Sequence, residues 1–208
     1  MKLGLIGHNR TIGIVLKIMT QSFPYIEITR IPMDTTDITP VVSYIKANEQ
    51  NFDGLLFTGK VPYDLVNMAI ISKKPWVYIQ HDTSRLLSGL LEASFLKGFD
   101  IRRISIDSYS EEDVYRIYEN LKIPAEQLSI CIYENINLDN DFLLNIQNFH
   151  RENYEKKNVN VCITGISGVY EYLSGLGIPC IVLDPTKQSI EEAIKYYDIK
   201  KRSKLQKN

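Results

Sequence analysis

The chain has 208 residues, 44% of them hydrophobic, and carries a formal net charge of -1 with a pI of about 6.3. This hydrophobic content suffices for a substantial core and argues against a disordered chain, while nothing in the near-neutral overall charge calls for nucleic acid or an anionic membrane surface as a partner. No segment approaches the roughly 20 apolar residues of a membrane span and the N-terminus lacks the apolar run of a signal peptide, so we expect a cytoplasmic protein.

Strands and helices alternate through the first part of the chain. Asn9 or Thr11 is a candidate cap for the first helix, and Thr39-Pro40 marks the start of the second, where proline needs no amide partner. Strands are predicted at residues 2–7, 25–32, 52–57 and 75–80, and a third helix is predicted at 62–71.

A second set of strands and helices begins after a predicted crossover at residues 81–84. Its strands are predicted at 102–106, 127–133, 159–163 and 178–183, with helices at 85–97, from Ser110, at 140–156 and up to 176. The charged half of the 140–156 helix, HRENYEKK, is interpreted as a solvated face, so His150 is not a candidate for ligand contact. After a second crossover at 184–187, a capping box from Ser189 to Glu192 opens a final helix that is expected to return to the first set.

This alternation predicts an α/β fold of two Rossmann-like lobes, flavodoxin-like or periplasmic-binding-like in build, with parallel sheets and a cleft between them. Lobe one is predicted to comprise residues 1–80 plus 188–208, and lobe two residues 84–183. The basic tail IKKRSKLQKN is expected to be a frayed end or the start of a linker.

One pattern recurs in both halves. DGLLFTGKVPY begins at Asp53 and NVCITGISGVY begins at Asn160, and each is an apolar strand ending in Thr-Gly before a helix. In one interpretation the glycine lets a ligand approach the backbone while the threonine offers a hydroxyl beside a helix N-terminus. In the other, glycine makes a tight turn and threonine caps the helix. The sequence favours neither.

Candidate ligand-binding residues lie where the strands end, because ligands of open parallel sheets bind beyond the carboxyl ends of the strands. His8 and His81 each follow a strand, and either can titrate near neutral pH. A His81-Asp82 dyad is not expected, since adjacent residues of an extended chain point apart. The predicted ligand-binding residues are His8, Thr58, Gly59, Tyr63, His81, Asp82, Thr83, Ser84, Asp107, Thr164, Gly165, Ser167, Pro185 and Thr186.

Several enzyme classes lack their motifs in this sequence. GHNRTIG does not match the dinucleotide-binding GxGxxG, GISG does not match GxSxG, and no P-loop is present. Cys131, Cys162 and Cys180 stand singly inside apolar stretches, without a CxxC pair or a Cys/His cluster. We therefore expect buried free thiols, no catalytic residue, no metal site and no cofactor.

Four stretches together carry a family resemblance: DGLLFTGKVPYDLV, PWVYIQHDTSRL, GFDIRRISIDSYSEEDV and VCITGISGVYEYLSGLGIPCIVLDPTKQSIEEAI. They resemble the amino-terminal effector-sensing region of Gram-positive bacterial transcriptional regulators, which is similar to the sensor domain of propionate-catabolism activators. The resemblance implies a two-lobed sensor that binds a small polar or anionic metabolite between its lobes. It also implies that DNA is contacted only by a separate domain, and it leaves a homodimer open.

Two other classes of function remain as alternatives. A small two-lobed isomerase or racemase-like enzyme would use polar residues of facing lobes, often with one cysteine from each lobe for proton transfer. A cysteine thiol with a lowered pKa would favour that alternative. A structural oligomerisation module is the third alternative, and it requires no ligand-binding cleft.

Overall fold

The computed structural model describes residues 1–72, 74–134, 136–139 and 141–205. The predicted helix start at residue 140 and the last part of the tail, residues 206–208, lie outside these ranges. The elements in chain order are β1 (Lys2–Gly7), α1 (Asn9–Ser22), β2 (Glu27–Pro32), α2 (Thr39–Asn48), β3 (Gly54–Phe57), α3 (Lys60–Ala69), β4 (Trp76–Tyr78), α4 (Thr83–Leu91), β5 (Arg103–Asp107), α5 (Glu111–Asn120), β6 (Ser129–Tyr133), α6 (Phe142–Glu155), β7 (Val161–Thr164), α7 (Ser167–Gly175), β8 (Cys180–Val182) and α8 (Lys187–Leu205).

Two four-stranded parallel sheets confirm the predicted α/β class. The first has the strand order β2-β1-β3-β4 and the second has the equivalent order β6-β5-β7-β8. The chain divides into two compact units: unit 1 comprises Met1–Gln80 and Pro185–Asn208, and unit 2 comprises His81–Asp184. Each unit therefore contains one sheet and the helices that cover it.

Unit 1 buries apolar residues on both faces of its sheet. The strand β1 is buried from Leu3 onward, as expected for an inner parallel strand covered by helices on both sides. One face packs Leu3 and Leu5 against α1 and α8, with Tyr197 of α8 fully buried, and the other packs Ile6 against α2 and α3.

Unit 2 has a corresponding core around β5 and β7. Ile104 and Ile106 point to the same face of the sheet, where they pack with apolar residues of α4 and α5. Ser105 and Asp107 alternate with them and point to the opposite face. This opposite face is polar at two fully buried positions.

Two helices differ from the prediction in the residues that cap their starts. The cap of α1 is His8, whose side chain accepts a hydrogen bond from the Arg10 amide, and neither Asn9 nor Thr11 is the cap. The helix α8 begins at Lys187, earlier than expected, because Thr186 and Ser189 cap it by exchanging amide-to-hydroxyl hydrogen bonds of 3.1 Å each. Several neighbouring polar side chains at each helix start are able to act as the cap. The local sequence does not decide which of them does so.

The shared strand order brings the two Thr-Gly turns to equivalent places. The crossover direction reverses between β1 and β3 in unit 1, and between β5 and β7 in unit 2. Ligand sites of doubly wound sheets occur at such reversals. Thr58-Gly59 follows β3 and Thr164-Gly165 follows β7, so each turn lies at its own sheet's reversal point.

No helix in the described part of the chain is long and apolar enough to cross a membrane.

We predict that Gly7→Ala destabilises the protein by about 2–4 kcal/mol, because it combines overpacking with backbone strain. A Cβ at Gly7 would lie 1.9 Å from Thr58 Oγ1, and the φ of +157° disfavours L side chains. Gly13→Ala is the matched control, since its Cβ meets nothing within 4 Å inside α1. Urea unfolding should show a gain of about 0.5–1 kcal/mol for the control. Equal effects of the two substitutions would contradict the packing argument.

Candidate functional site

The carboxyl edge of the unit 2 sheet gathers polar groups from three strand ends and the start of α4. At the end of β5, the Asp107 carboxylate accepts a 2.9 Å hydrogen bond from the Gly165 amide and a hydrogen bond from the Ser108 hydroxyl. The guanidinium of Arg85, in the first turn of α4, donates from Nη2 to the Leu183 carbonyl after β8. Parallel strands end at one edge, which is why residues so distant in sequence meet here.

Arg85 is the least expected member of this cluster. It is only 3% exposed, and its Nε and Nη1 atoms are buried without a hydrogen-bond partner in the described structure. Burial lowers the pKa of Arg85, although Tyr109, Asp184 and Asp82 oppose the shift. An arginine nevertheless stays charged at neutral pH. The start of a helix also repels a positive charge, so the fold holds a buried cation in an unfavourable place.

Asp82 and His81 precede Arg85 and also carry unsatisfied atoms. Asp82 caps α4, since its Oδ1 accepts from the Arg85 amide at 2.8 Å and from the Ser84 hydroxyl at 2.6 Å. Its Oδ2 is buried without a partner, and so is the Nδ1 atom of His81. The backbone carbonyl of Asp82 accepts a 3.0 Å hydrogen bond from Tyr109, which ties this turn to the end of β5.

His81 does not titrate near neutral pH, contrary to the expectation from its position after a strand. Burial, assisted by the positive charge of Arg85, lowers the pKa of His81 to about 3. The ring lies 5.8 Å from that of Tyr109, and a Cβ on Gly165 would come within 2.3 Å of its Cε1 atom. The glycine of the second Thr-Gly turn therefore makes room for the His81 ring.

A fully buried hydrogen-bond chain lies beneath this edge. His150 of α6 contacts Ser105 Oγ through Nδ1 at 2.7 Å and Asp107 Oδ2 through Nε2 at 3.0 Å. Burial alone would lower the pKa of His150, but the hydrogen bond to Asp107, with a smaller contribution from Cys162, raises it to about 9. The interpretation of HRENYEKK as a solvated face is wrong at His150, whose side chain points into the sheet and is 0% exposed.

Protonated His150 and ionised Asp107 form a buried ion pair. Burial raises the pKa of Asp107, but the hydrogen bond and charge of His150, together with hydrogen bonds from Ser108 and Thr164, make the net shift downward. A protonated imidazole donates from both nitrogens, so it satisfies Ser105 and Asp107 together. Asp107 in turn holds the Gly165 amide, and the pair thereby supports the loop that packs against His81.

The predicted residues of unit 1 lie at the edge of their own sheet. His8 caps α1, and its Nε2 is 3.6 Å from Asp34 Oδ1. Thr58 is buried beside Gly7, while Gly59 is the N-cap of α3, whose start carries no side-chain cap. Tyr63 packs its ring against Phe57 and Tyr78, and burial raises its pKa.

The remaining predicted residues have more local surroundings. Thr164 Oγ1 accepts a 3.0 Å hydrogen bond from the Ile166 amide, so the second threonine serves its own turn. Thr83 and Ser84 are exposed in the first turn of α4, Ser167 is buried at the start of α7, and Pro185 and Thr186 precede α8. Their part in ligand binding stays a prediction.

The residues that sequence reasoning missed are Arg85, Ser105 and His150. The sequence did not single out Arg85, because arginines near a helix start are usually solvated. It did not single out Ser105, because one serine rarely interrupts a strand pattern. The alternation of Ser105 and Asp107 along β5 is a signal that was present in the sequence, since it places two polar side chains on one face. His150 carried no such signal.

Burial raises the pKa values of Cys131 and Cys180, which disfavours a thiolate at either position. All three cysteines belong to unit 2. Across the described residues, no group of three or more His, Cys, Asp and Glu side chains is placed to hold a metal ion.

No family model matches this sequence, and no curated protein matches it. Solved structures of similar fold include a glucose-galactose binding protein from Geobacillus stearothermophilus, at 13% identity and a TM-score of 0.45, over 97% of this chain and 91% of that one. The trehalose repressor from Escherichia coli is 12% identical with a TM-score of 0.42, over 92% and 90%. Allantoin racemase from Pseudomonas fluorescens is 16% identical with a TM-score of 0.36, over 96% and 92%. At these values the similarities carry no argument about function.

We predict that the His150–Asp107 pair makes stability fall as the pH rises from 6.5 to 9. Because the pKa of folded His150, about 9, exceeds the ordinary 6.5, its stabilisation is complete below pH 6.5 and is lost as the pH rises through about 9. The loss should be about 2–3 kcal/mol in urea unfolding. The double variant His150→Gln/Asp107→Asn keeps a neutral hydrogen bond and should lack this component. Equal pH dependence in both proteins would contradict the assignment.

Proposed function

We propose that this protein is a ligand-binding domain that takes a small polar or anionic metabolite at the carboxyl edge of unit 2. The observation that carries the proposal is the buried guanidinium of Arg85, with Nε and Nη1 unpartnered in the described structure. It lies within one turn of two further unsatisfied groups, His81 Nδ1 and Asp82 Oδ2. Three such groups at the expected ligand edge of a parallel sheet support a binding role.

The energetic argument concerns what such a cluster costs the folded state. A buried charge is tolerated when it is paired, and each unpartnered buried polar atom costs about 1–3 kcal/mol, more when it is charged. Replacing Arg85 with an apolar residue would remove that cost. Residues that lower the stability of the folded state are characteristic of functional sites. We therefore propose that the destabilising burial of Arg85 serves ligand binding.

The residues supply contacts to a bound molecule and offer no evident reacting group. His81 stays neutral because its pKa is about 3, and the thiols of Cys131 and Cys180 have raised pKa values. The position of all three cysteines in unit 2 does not match a two-cysteine racemase with one thiol from each unit. We therefore propose a domain without catalytic activity, with an isomerase of other chemistry as the alternative.

The regulatory part of the proposal rests on the resemblance to effector-sensing regions. A regulator of that kind works in the cytoplasm, reaches DNA through a separate domain and responds when its effector binds two conformations unequally. The atoms of Arg85 and Asp82 are shielded from solvent, so a ligand reaches them only when surrounding side chains move. Such coupling between binding and movement suits a sensor. The cleft expected between the lobes stays a prediction, and dimerisation is left open.

We predict that Arg85→Met abolishes stabilisation by the ligand without lowering the stability of the ligand-free protein. The ligand-free variant should be as stable as the wild type or more stable by about 1–4 kcal/mol, because a buried charge whose hydrogen bonds are only partly satisfied gives way to an apolar side chain of similar length. Thermal unfolding against a panel of carboxylic acids, amino acids, sugars and phosphate esters should show stabilisation of the wild type that the variant loses.

Arg116→Met is the matched control for this experiment. Arg116 belongs to the same unit but is half exposed and pairs with Glu112 and Asp113 on the surface of α5. Its substitution should change stability by less than about 1 kcal/mol and leave ligand stabilisation intact. A panel compound that stabilises Arg85→Met as strongly as the wild type would overturn the proposed site, and so would a panel without any stabilising compound.

A further inference from the structure

Two opposite charges with unused atoms lie on the same helical turn. Asp82 is the N-cap of α4 and Arg85 is its third residue, yet the Oδ2 of the carboxylate and the Nε and Nη1 of the guanidinium have no hydrogen-bond partner in the described structure. They therefore do not satisfy each other, although the charge of Asp82 acts on Arg85. An acceptor and two donors of opposite sign are thus left without partners on residues of one helical turn.

One atom of each side chain is already hydrogen-bonded to a neighbouring group. Oδ1 of Asp82 is engaged by the Arg85 amide and the Ser84 hydroxyl, which fixes the carboxylate over the start of the helix. Nη2 of Arg85 is engaged by the Leu183 carbonyl, which draws the guanidinium toward the end of β8. Each side chain is held by one atom, and its remaining polar atoms have no partner in the described structure.

We infer that the ligand is an α-amino acid, whose carboxylate accepts hydrogen bonds from Nε and Nη1 of Arg85 while its ammonium donates to Oδ2 of Asp82. This inference rests on the proposed function and names the ligand class of the same site. A zwitterion satisfies both unused groups without adding net charge to a buried place. Because donor and acceptor belong to one turn, the two ligand charges must be close together, as they are on the α-carbon.

Other ligand chemistries fit these groups less well. A sugar brings no charge to either unused group, and a phosphate dianion brings a second negative charge close to Asp184 and Asp107, whose charges also act on that guanidinium. A metal ion at Asp82 lacks further ligands, because the described residues contain no metal-binding group of three. The neutral ring of His81 can exchange a hydrogen bond with either end of an amino acid without altering the charge balance.

Isothermal titration calorimetry with the proteinogenic L-amino acids tests the inference. For the amino acid that binds most tightly, two analogues are titrated: its 2-hydroxy acid, which lacks the ammonium, and its amide, which lacks the carboxylate. Each analogue should bind at least about tenfold more weakly, as expected for the loss of one charged hydrogen bond. In Asp82→Asn the amino acid should lose about tenfold while the 2-hydroxy acid is unaffected, and asparagine still caps the helix.

Asp100→Asn serves as the control, because it removes the same charge from an exposed turn of unit 2 where Asp100 pairs with Arg102. It should leave every affinity unchanged. The inference is overturned, with the proposed function intact, if the 2-hydroxy acid binds as tightly as the amino acid, if Asp82→Asn changes neither affinity, or if only another class of metabolite binds in an Arg85-dependent manner. Absence of binding by every compound of the wider panel overturns the proposed function as well.

Discussion

Parallel pairing of the first and third strands of each sheet is the constraint on which the rest of the structure depends. Ile6 pairs with Phe57 in unit 1, and Ile106 pairs with Ile163 in unit 2. The residues that follow these pairs must leave the sheet at the same edge, where helix starts and polar turns collect. The contact of Gly7 with Thr58 and the bond between Asp107 and Gly165 are both consequences of this register.

Unit 2 contains two pairs of oppositely charged side chains, and the pairs differ in how completely their hydrogen bonds are satisfied. The charges of His150 and Asp107 satisfy each other and hold a loop in place, so removing either would leave an unpaired ion in the core. The charges of Arg85 and Asp82 are satisfied only in part, although both are fixed by neighbours. A paired buried ion needs no ligand to explain it, whereas the unpartnered atoms of Arg85 and Asp82 are the basis of the proposed ligand site.

The two Thr-Gly turns occupy equivalent positions and yet differ in use. Thr164 accepts a hydrogen bond from an amide of its own turn, and Gly165 leaves room for the His81 ring. This turn therefore supports the cluster of polar groups around Arg85. Thr58 packs against Gly7, and the uncapped start of α3 follows it. The sequence pattern left open whether these residues contact a ligand or form the turn. In both copies they have at least a structural role, in the turn itself or in the packing beside it. Equivalent fold positions do not guarantee equivalent chemistry, because neighbouring strands supply different side chains.

The sequence by itself determined the α/β class, the parallel sheets and the strand-end location of candidate residues, because apolar periodicity and turn residues are local signals. It also singled out Asp82, His81 and Asp107. Only the tertiary structure decided that Arg85 is buried with unused donors, that His150 turns inward to Asp107, and that His81 cannot titrate near neutral pH. Burial and pairing depend on which distant strands end side by side, and a single sequence does not reveal that arrangement.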